Sequence, residues 1–209
     1  MKKFITSMAL QAGRFDAYCY EAVGNSKLQM DTEVHFPILT AISGYAQEGE
    51  EIRVFVVTSQ TPPQVKNQAL LEEELHALCQ AKGFHCPRGL ELVVIPNDQQ
   101  VDAHLETFQK LIDLMEDDDE LFACTTYGTK PQAQAVMMAV QYGYRIKHNT
   151  SIGCIVYGEI ARRNPDSNTW STAKVYDVTA LTQMDEIVRV LADRKVADPK
   201  SVIEHILNL

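Results

Sequence analysis

The chain has 209 residues, of which 45% are hydrophobic and 22% charged, and its formal net charge is -9. This near-average globular composition predicts a single domain, residues 1–209, with enough apolar side chains to bury a core. The acidic balance argues against a non-specific grip on duplex DNA, which needs a dense lysine and arginine face. A small nucleotide held by a few local donors remains compatible with this acidic net charge.

The amino-terminal residues 1–14 combine two lysines with a short apolar run. A signal peptide is the alternative to a strand here, but Thr6 and Ser7 interrupt the run, and Gln11 and Arg14 follow it. These polar residues favour a β-strand. No stretch reaches the ~18 to 20 apolar residues of a membrane span, so we expect no membrane partner.

Five cysteines are present, and none has a disulfide-framework spacing. Cys79 and Cys86 are the nearest pair, but they do not form a Cys-x-x-Cys motif, whereas Cys124 and Cys154 lie inside apolar runs. This usage is typical of a reducing compartment, so we expect a cytoplasmic protein with buried free thiols.

Hydrophobic periodicity and turn residues predict alternating strands and helices along the whole chain. The six predicted strands span residues 3–10, 51–58, 89–96, 121–126, 151–157 and 173–178. The predicted helices span residues 31–47, 64–82, 97–115, 132–144 and 179–194, with a short carboxy-terminal helix at 198–208. Residues 11–27 are expected to form a long loop, and residues 161–171, which include Trp170, a hairpin-type loop.

This order predicts an α/β fold, because the last two core strands are joined without a helix while the others alternate with helices. We expect a Rossmann-like three-layer sandwich with a six-stranded, mostly parallel sheet and one antiparallel strand near an edge. The acidic run 116–120 is interpreted as a solvated turn. Its five consecutive carboxylates would have to fold back on themselves to converge on one metal ion.

The strongest candidate site is the strand–loop–helix segment 121–142. Ligands of doubly wound sheets bind beyond the carboxyl ends of the strands, where this connection should meet the loop after the first strand. Gly128 permits a tight turn, while Thr129 and Lys130 offer a hydroxyl and a cation at the positive end of a helix dipole. Pro131 suits the first helical turn but lacks an N–H. The predicted ligand-binding residues are Gln11, Gly13, Arg14, Thr125, Thr126, Gly128, Thr129, Lys130 and Gln132.

The alternative is that residues 128–131 are simply a strand-to-helix connection. Neither the P-loop pattern nor Gly-x-Gly-x-x-Gly is present, so an ordinary NAD site is unsupported. The six histidines are scattered and none pairs at i, i+4 on a helix, so we expect neither a metal site nor a cofactor. No Gly-x-Ser-x-Gly nucleophile elbow occurs.

The segments LFACTTYGTKPQAQAVMMAVQYGYRIKHNTSIGCIVYGE and VYDVTALTQMDEIVRVLAD resemble the CARF family, the CRISPR-associated Rossmann fold. The most similar branch has an Asp-x-Thr-His-Gly strand end, a proline-containing helix start, an aromatic-Tyr-Gly strand end and Asp-Leu-Thr before a helix. The corresponding residues are Cys124-Thr125-Thr126-Tyr127-Gly128, Pro131, Val156-Tyr157-Gly158 and Asp177-Val178-Thr179. The likeness runs through residues 120–194, but Cys124 and Tyr127 replace the family's Asp and His.

The resemblance implies a homodimer that binds a cyclic oligoadenylate, a second messenger of antiviral defence, across its two-fold axis. Few residues follow the last core helix, so we expect no separate effector domain. The protein would then be a stand-alone sensor or a metal-independent ring nuclease. In a nuclease, a ribose 2′-hydroxyl would attack the adjacent phosphate and Lys130 would be the catalytic residue, with Gln11, Arg14 and Thr129 positioning the ring.

Two other functions stay open. One is a different nucleotide- or phosphometabolite-binding Rossmann-like enzyme, which a deep cleft with convergent carboxylates would favour. The other is a protein-interaction module with a vestigial pocket, which the substitutions at Cys124 and Tyr127 keep in consideration. Two Lys130 side chains around one central cavity would favour the cyclic oligoadenylate sensor.

Overall fold

The computed structural model describes residues 1–160 and 172–208, so the predicted loop 161–171 with Trp170 lies outside the described residues. Seven strands occur in this part of the chain: β1 (Lys2–Ser7), β2 (Tyr20–Val23), β3 (Ile52–Thr58), β4 (Leu90–Val94), β5 (Glu120–Cys124), β6 (Ser151–Ile160) and β7 (Ala173–Asp177). The α-helices are α1 (Ile38–Tyr45), α2 (Pro62–Lys82), α3 (Val101–Ile112), α4 (Lys130–Ile146), α5 (Thr179–Asp193) and α6 (Pro199–Leu207).

All seven strands belong to one sheet in the order β2-β7-β6-β5-β1-β3-β4. The five strands from β6 to β4 are parallel, and β7 pairs antiparallel with β6. The α/β class, the Rossmann-like sandwich, the mostly parallel sheet and the antiparallel strand near an edge are thereby confirmed.

The predicted strand number was wrong, because β2 lies within the expected loop 11–27. This strand pairs parallel with β7, so it also runs against the five central strands. It has only four residues and alternates between buried and exposed positions at the sheet edge. Its partner lies 153 residues further along the chain, which explains why local sequence gave no indication of it.

The sheet is covered by helices on both faces. Phe4, Phe122, Cys154 and Val156 point toward the side on which α1 and α2 pack, and belong to one buried cluster with them. The alternate residues, such as Ile5, are equally buried toward α3 and α4. The described chain forms two compact units, Met1–Asp177, which contains the sheet and α1 to α4, and Val178–Leu209, which contains α5 and α6. No helix of the described residues is long and apolar enough to cross a membrane.

Helix α1 is shorter than predicted, since residues 31–37 are not helical. Val34 instead exchanges two backbone hydrogen bonds with Tyr18, each 3.0 Å long. Pro37 occupies the position before the first helical residue, and no side chain caps that end. The apolar spacing over 31–47 therefore marks burial but not a continuous helix.

The acidic run 116–120 is an exposed turn over residues 116–118, as predicted, but Asp119 is buried. Lys3 is fully buried, and its ammonium group lies 2.7 Å from the Asp119 carboxylate and 2.5 Å from that of Glu116. The same group donates to the carbonyl oxygen of Leu114 at 2.7 Å. Asp119 is only 2% exposed, so a buried ion pair joins the start of β1 to the start of β5.

This ion pair gives a prediction for stability. Lys3→Met removes the 2.7 Å partner of the buried Asp119 carboxylate, which keeps the amino-terminal ammonium group at 3.7 Å, and breaking such a buried pair costs about 3–5 kcal/mol. Urea denaturation at pH 7 measures this loss, with the exposed Lys66→Met as the matched control. A loss of less than ~1 kcal/mol for Lys3→Met would contradict the buried pair.

The same variant has a pH signature. Hydrogen bonding and charge attraction from Lys3 hold the pKa of Glu116 below its ordinary value of 4.5. A lowered folded-state pKa stabilises the protein above the ordinary pKa, and this stabilisation is lost as the pH falls through the lowered value. The stability difference between wild type and Lys3→Met should therefore narrow below pH ~4.5.

Candidate functional site

The neighbouring strands β1 and β5 form the topological switch point of the sheet. The chain moves from β1 through β3 to β4, and then returns to the opposite side of β1 as β5. The helices that follow β1 and β5 therefore cover opposite faces, which opens a crevice between the carboxyl ends of these two strands. A cleft of about 380 Å³ occupies this crevice, lined by Leu10, Gln11, Thr126, Tyr127 and Gly128.

The turn after β5 requires a glycine at position 128. Gly128 has a φ of +88°, which L side chains rarely adopt. A Cβ there would lie 2.7 Å from the Ser7 Cβ and 2.7 Å from the Gln132 Oε1 atom. The turn thus approaches the end of β1 more closely than any side chain allows.

Thr129 and Gln132 form a capping box at the start of α4. The Thr129 amide donates to the Gln132 Oε1 atom at 2.9 Å, and the Gln132 amide donates to the Thr129 hydroxyl oxygen at 3.4 Å. Gln132 is itself buried. Both predicted ligand residues therefore hold the turn together, and the Thr-x-x-Gln spacing could have indicated this from sequence. Among the described residues, nothing accepts a hydrogen bond from the amides of Gly128 and Lys130.

The two threonines after β5 tie the cleft to β6. The Thr126 hydroxyl oxygen accepts hydrogen bonds from the Gly158 amide at 2.7 Å and from the Cys124 thiol at 3.2 Å. Neither bond uses the hydroxyl proton of Thr126. Thr126 itself lines the cleft. The Thr125 amide donates to the Val156 carbonyl at 3.0 Å, so Thr125 mainly extends the β5–β6 pairing.

The loop after β1 contributes only part of what was predicted. Gln11 lines the cleft, and its carbonyl accepts a hydrogen bond of 3.1 Å from the Asn67 side chain on α2. Arg14 is 85% exposed on its side chain and pairs with Asp16 at 2.6 Å. Gly13, Arg14 and Lys130 are all exposed and are not among the residues that line the cleft.

Ser7 is a residue of this site that sequence analysis missed. Its hydroxyl is buried at the end of β1, directly beneath the Gly128 turn, and has no hydrogen-bond partner among the described residues. A buried hydroxyl without a partner is costly, and such groups usually bind water or a ligand. Nothing local distinguishes Ser7 from the apolar strand that contains it.

Cys124 and Tyr127, the two departures from the family motif, belong to the core. The Tyr127 hydroxyl donates to the His35 carbonyl at 2.8 Å, and its ring packs edge-on against Phe15 and Phe36. Burial raises the pKa of the Tyr127 hydroxyl and of the Cys124 thiol. Both groups therefore stay protonated near neutral pH and are poor candidates for a base or a nucleophile.

The cleft contains no acidic side chain among the residues that line it. Within residues 1–160 and 172–208, no three His, Cys, Asp or Glu side chains are placed to hold a metal ion. The available chemistry is consequently that of backbone amides, hydroxyls, one amide side chain and the nearby Lys130 ammonium group.

No known protein-family model matches the chain, and no curated protein matches it.

Gly128→Ala tests the close approach between the turn and β1. The positive φ and the two 2.7 Å contacts together should cost about 2–4 kcal/mol of unfolding free energy. Gly13→Ala is the matched control, because its added Cβ meets nothing within 4 Å and should change stability by less than ~0.5 kcal/mol. Equal effects of the two substitutions in thermal or urea unfolding would contradict this account of the turn.

Proposed function

We propose that the protein is a cyclic oligoadenylate sensor of the CARF type, and that a homodimer binds one ring over the paired β1–β5 clefts. The observation that carries the proposal is the acid-free cleft at the switch point, closed by the Gly128 turn and the start of α4. Ligand sites of doubly wound sheets lie at this position.

A phosphate is the chemical group that this edge of the cleft suits best. The amides of Gly128 and Lys130 belong to the start of α4, where the helix dipole favours a negative charge. The Lys130 ammonium group is exposed at the first residue of the same helix. Together with the hydroxyl of Thr126, they give a set of donors without a carboxylate among the residues that line the cleft.

A pair of tyrosines on the neighbouring strands β6 and β7 suits nucleobases. Strand β6 continues beyond the last residue of β5, and Tyr157 stands there on the α4 side of the sheet, 44% exposed. Tyr176 lies directly opposite it on β7, and its hydroxyl donates to the Glu159 carboxylate at 2.7 Å. A base can stack on an exposed tyrosine, and a carboxylate can accept a hydrogen bond from the exocyclic amine of adenine.

The geometry favours this proposal over the two alternatives. A deep cleft with convergent carboxylates would favour the phosphometabolite enzyme considered above, and no carboxylate lines this cleft. A vestigial pocket would be filled by side chains, whereas the cleft keeps about 380 Å³ of open volume. Ring cleavage remains a separate step. It would rely on the ribose 2′-hydroxyl of the ligand and on Lys130, because Cys124 and Tyr127 are buried in the core.

The direct test is calorimetry of the purified protein with cyclic tri-, tetra- and hexa-adenylate, and with linear tetra-adenylate as the control ligand. We expect one ring to bind per two chains, more tightly than the linear oligomer. Lys130→Ala should weaken binding at least ~10-fold, because each ring loses charge-assisted contacts from two lysines. Lys66→Ala, on the exposed side of α2, should leave the affinity unchanged.

Absence of binding by every ring, or equal binding by the Lys130→Ala variant, would contradict the proposal. Chromatography of the recovered ligand decides the question of cleavage independently. An intact ring after hours indicates a sensor. A linear product that Lys130→Ala fails to form indicates a ring nuclease.

Tyr157 provides a second test of the same proposal. Tyr157→Ala should weaken binding of the preferred ring by about 1–3 kcal/mol per stacked base, while Tyr157→Phe should retain the affinity. The measurement is again calorimetry, with circular dichroism to verify folding. Equal losses in the Ala and Phe variants would exclude stacking as the role of this side chain.

A further inference from the structure

A second hollow in the described chain lies away from the cleft, between α2 and the segment that precedes β4. It has a volume of about 650 Å³, within the range of small-molecule sites. Because this segment leads into β4, the hollow is at the amino end of the sheet, opposite to the switch-point cleft. Its apolar lining includes Leu75, Phe84 and Leu90, and the thiols of Cys79 and Cys86 also face it.

The wall formed by residues 83–89 is held in place by backbone hydrogen bonds. The His85 amide donates to the Glu50 carbonyl at 2.8 Å, and the Ile52 amide donates to the His85 carbonyl at 2.9 Å. The Gly89 amide donates to the Cys86 carbonyl at 3.0 Å, which closes a tight turn. The hollow is therefore preformed, and a ligand would not have to order this wall on binding.

Arg88 stands on that turn, at the rim of the hollow, with its side chain 60% exposed. Its carboxylate neighbour is Glu91, but the two carboxylate oxygens already accept hydrogen bonds of 2.7 and 2.6 Å from Arg53. Arg88 approaches Glu91 only to 3.7 Å. The exposed Arg88 guanidinium group therefore makes a loose ion pair with Glu91, whose closer partner is Arg53.

We propose that this hollow is a second binding site, for a small amphipathic monocarboxylate with an apolar body. The apolar body would lie in the hollow against Pro87 and Leu90, and the carboxylate would form a forked hydrogen-bonded pair with Arg88. Glu72 on α2 also lines the hollow, which disfavours ligands that carry a second negative charge. The site does not depend on the function proposed for the cleft.

The chain contains its own reporters for a test. Cys79 and Cys86 line the hollow, Cys19 is exposed elsewhere, and Cys124 and Cys154 are buried in the core. Burial raises the pKa of the Cys86 thiol to about 11, so its modification is slow and can be followed over time. The probe is decanoate below its micelle-forming concentration, and 1-decanol provides the same chain without the charge. Labelling by methyl methanethiosulfonate is then quantified for each cysteine by peptide mass spectrometry.

Decanoate should slow the labelling of Cys79 and Cys86 without affecting Cys19, while Cys124 and Cys154 stay unlabelled in a folded protein. In Arg88→Gln the decanoate concentration needed for half-maximal protection should rise at least ~10-fold, as expected for the loss of a charge-assisted pair. For Arg88→Lys the decanoate concentration for half-maximal protection should lie between the values for wild type and Arg88→Gln. Arg194→Gln should behave as wild type. Decanol should protect less than decanoate.

Three results would overturn the proposal. The first is the absence of protection at Cys79 and Cys86. The second is equal protection of wild type and Arg88→Gln, or equal protection by decanol, since either would show that the charge of Arg88 is not used. The third is parallel protection of Cys19, which would show a general effect of decanoate on labelling.

Discussion

The pairing of β1 with β5 is the constraint on which the rest of the structure depends. At the amino end, the buried Lys3 ammonium group joins β1 to Asp119 at the start of β5. At the carboxyl end, the Gly128 turn packs directly on Ser7, with no room for a side chain between them. Because the helices after these two strands cover opposite faces, this one pairing both centres the sheet and creates the cleft. A shift of one residue between the strands would break the ion pair and close the crevice together.

The central part of the fold could be predicted because its elements are coded locally. Buried parallel strands appear as apolar runs, and glycine and proline mark the ends of the long helices. The edge strand β2 and the start of α1 could not be predicted, because Tyr20–Val23 and Val34 take their conformations from partners that are distant in sequence. Lys3 illustrates the same limit. A lysine in a strand ordinarily indicates exposure, and only the carboxylates of residues 116 and 119 make its burial favourable.

The candidate site shows a different limit of sequence analysis. Position 128 was identified correctly as the close turn, because a glycine before a helix start has few other uses. The same spacing does not distinguish a side chain that binds a ligand from one that caps the helix, and Thr129 and Gln132 proved to cap it. The helix α2 begins with a similar Thr-x-Pro-Gln sequence and the same capping box. Such a box uses the amides of Thr129 and Gln132, so a phosphate there would depend more on Lys130 and the hydroxyls than on the helix dipole alone.

The net charge of -9 does not conflict with a polyanionic ligand at this position. The acidic run 116–120 lies at the amino end of β5, whereas the cleft lies at the carboxyl end of the same strands. Strand β1 has six residues, and at ~3.3 Å per residue the two ends are about 20 Å apart. This separation exceeds the Debye length of ~8 Å at physiological ionic strength, and Lys3 already neutralises part of the acidic run. The sheet therefore keeps the acidic run 116–120 away from the edge at which Lys130 and the open amides are placed, and the local field rather than the total charge determines what can bind there.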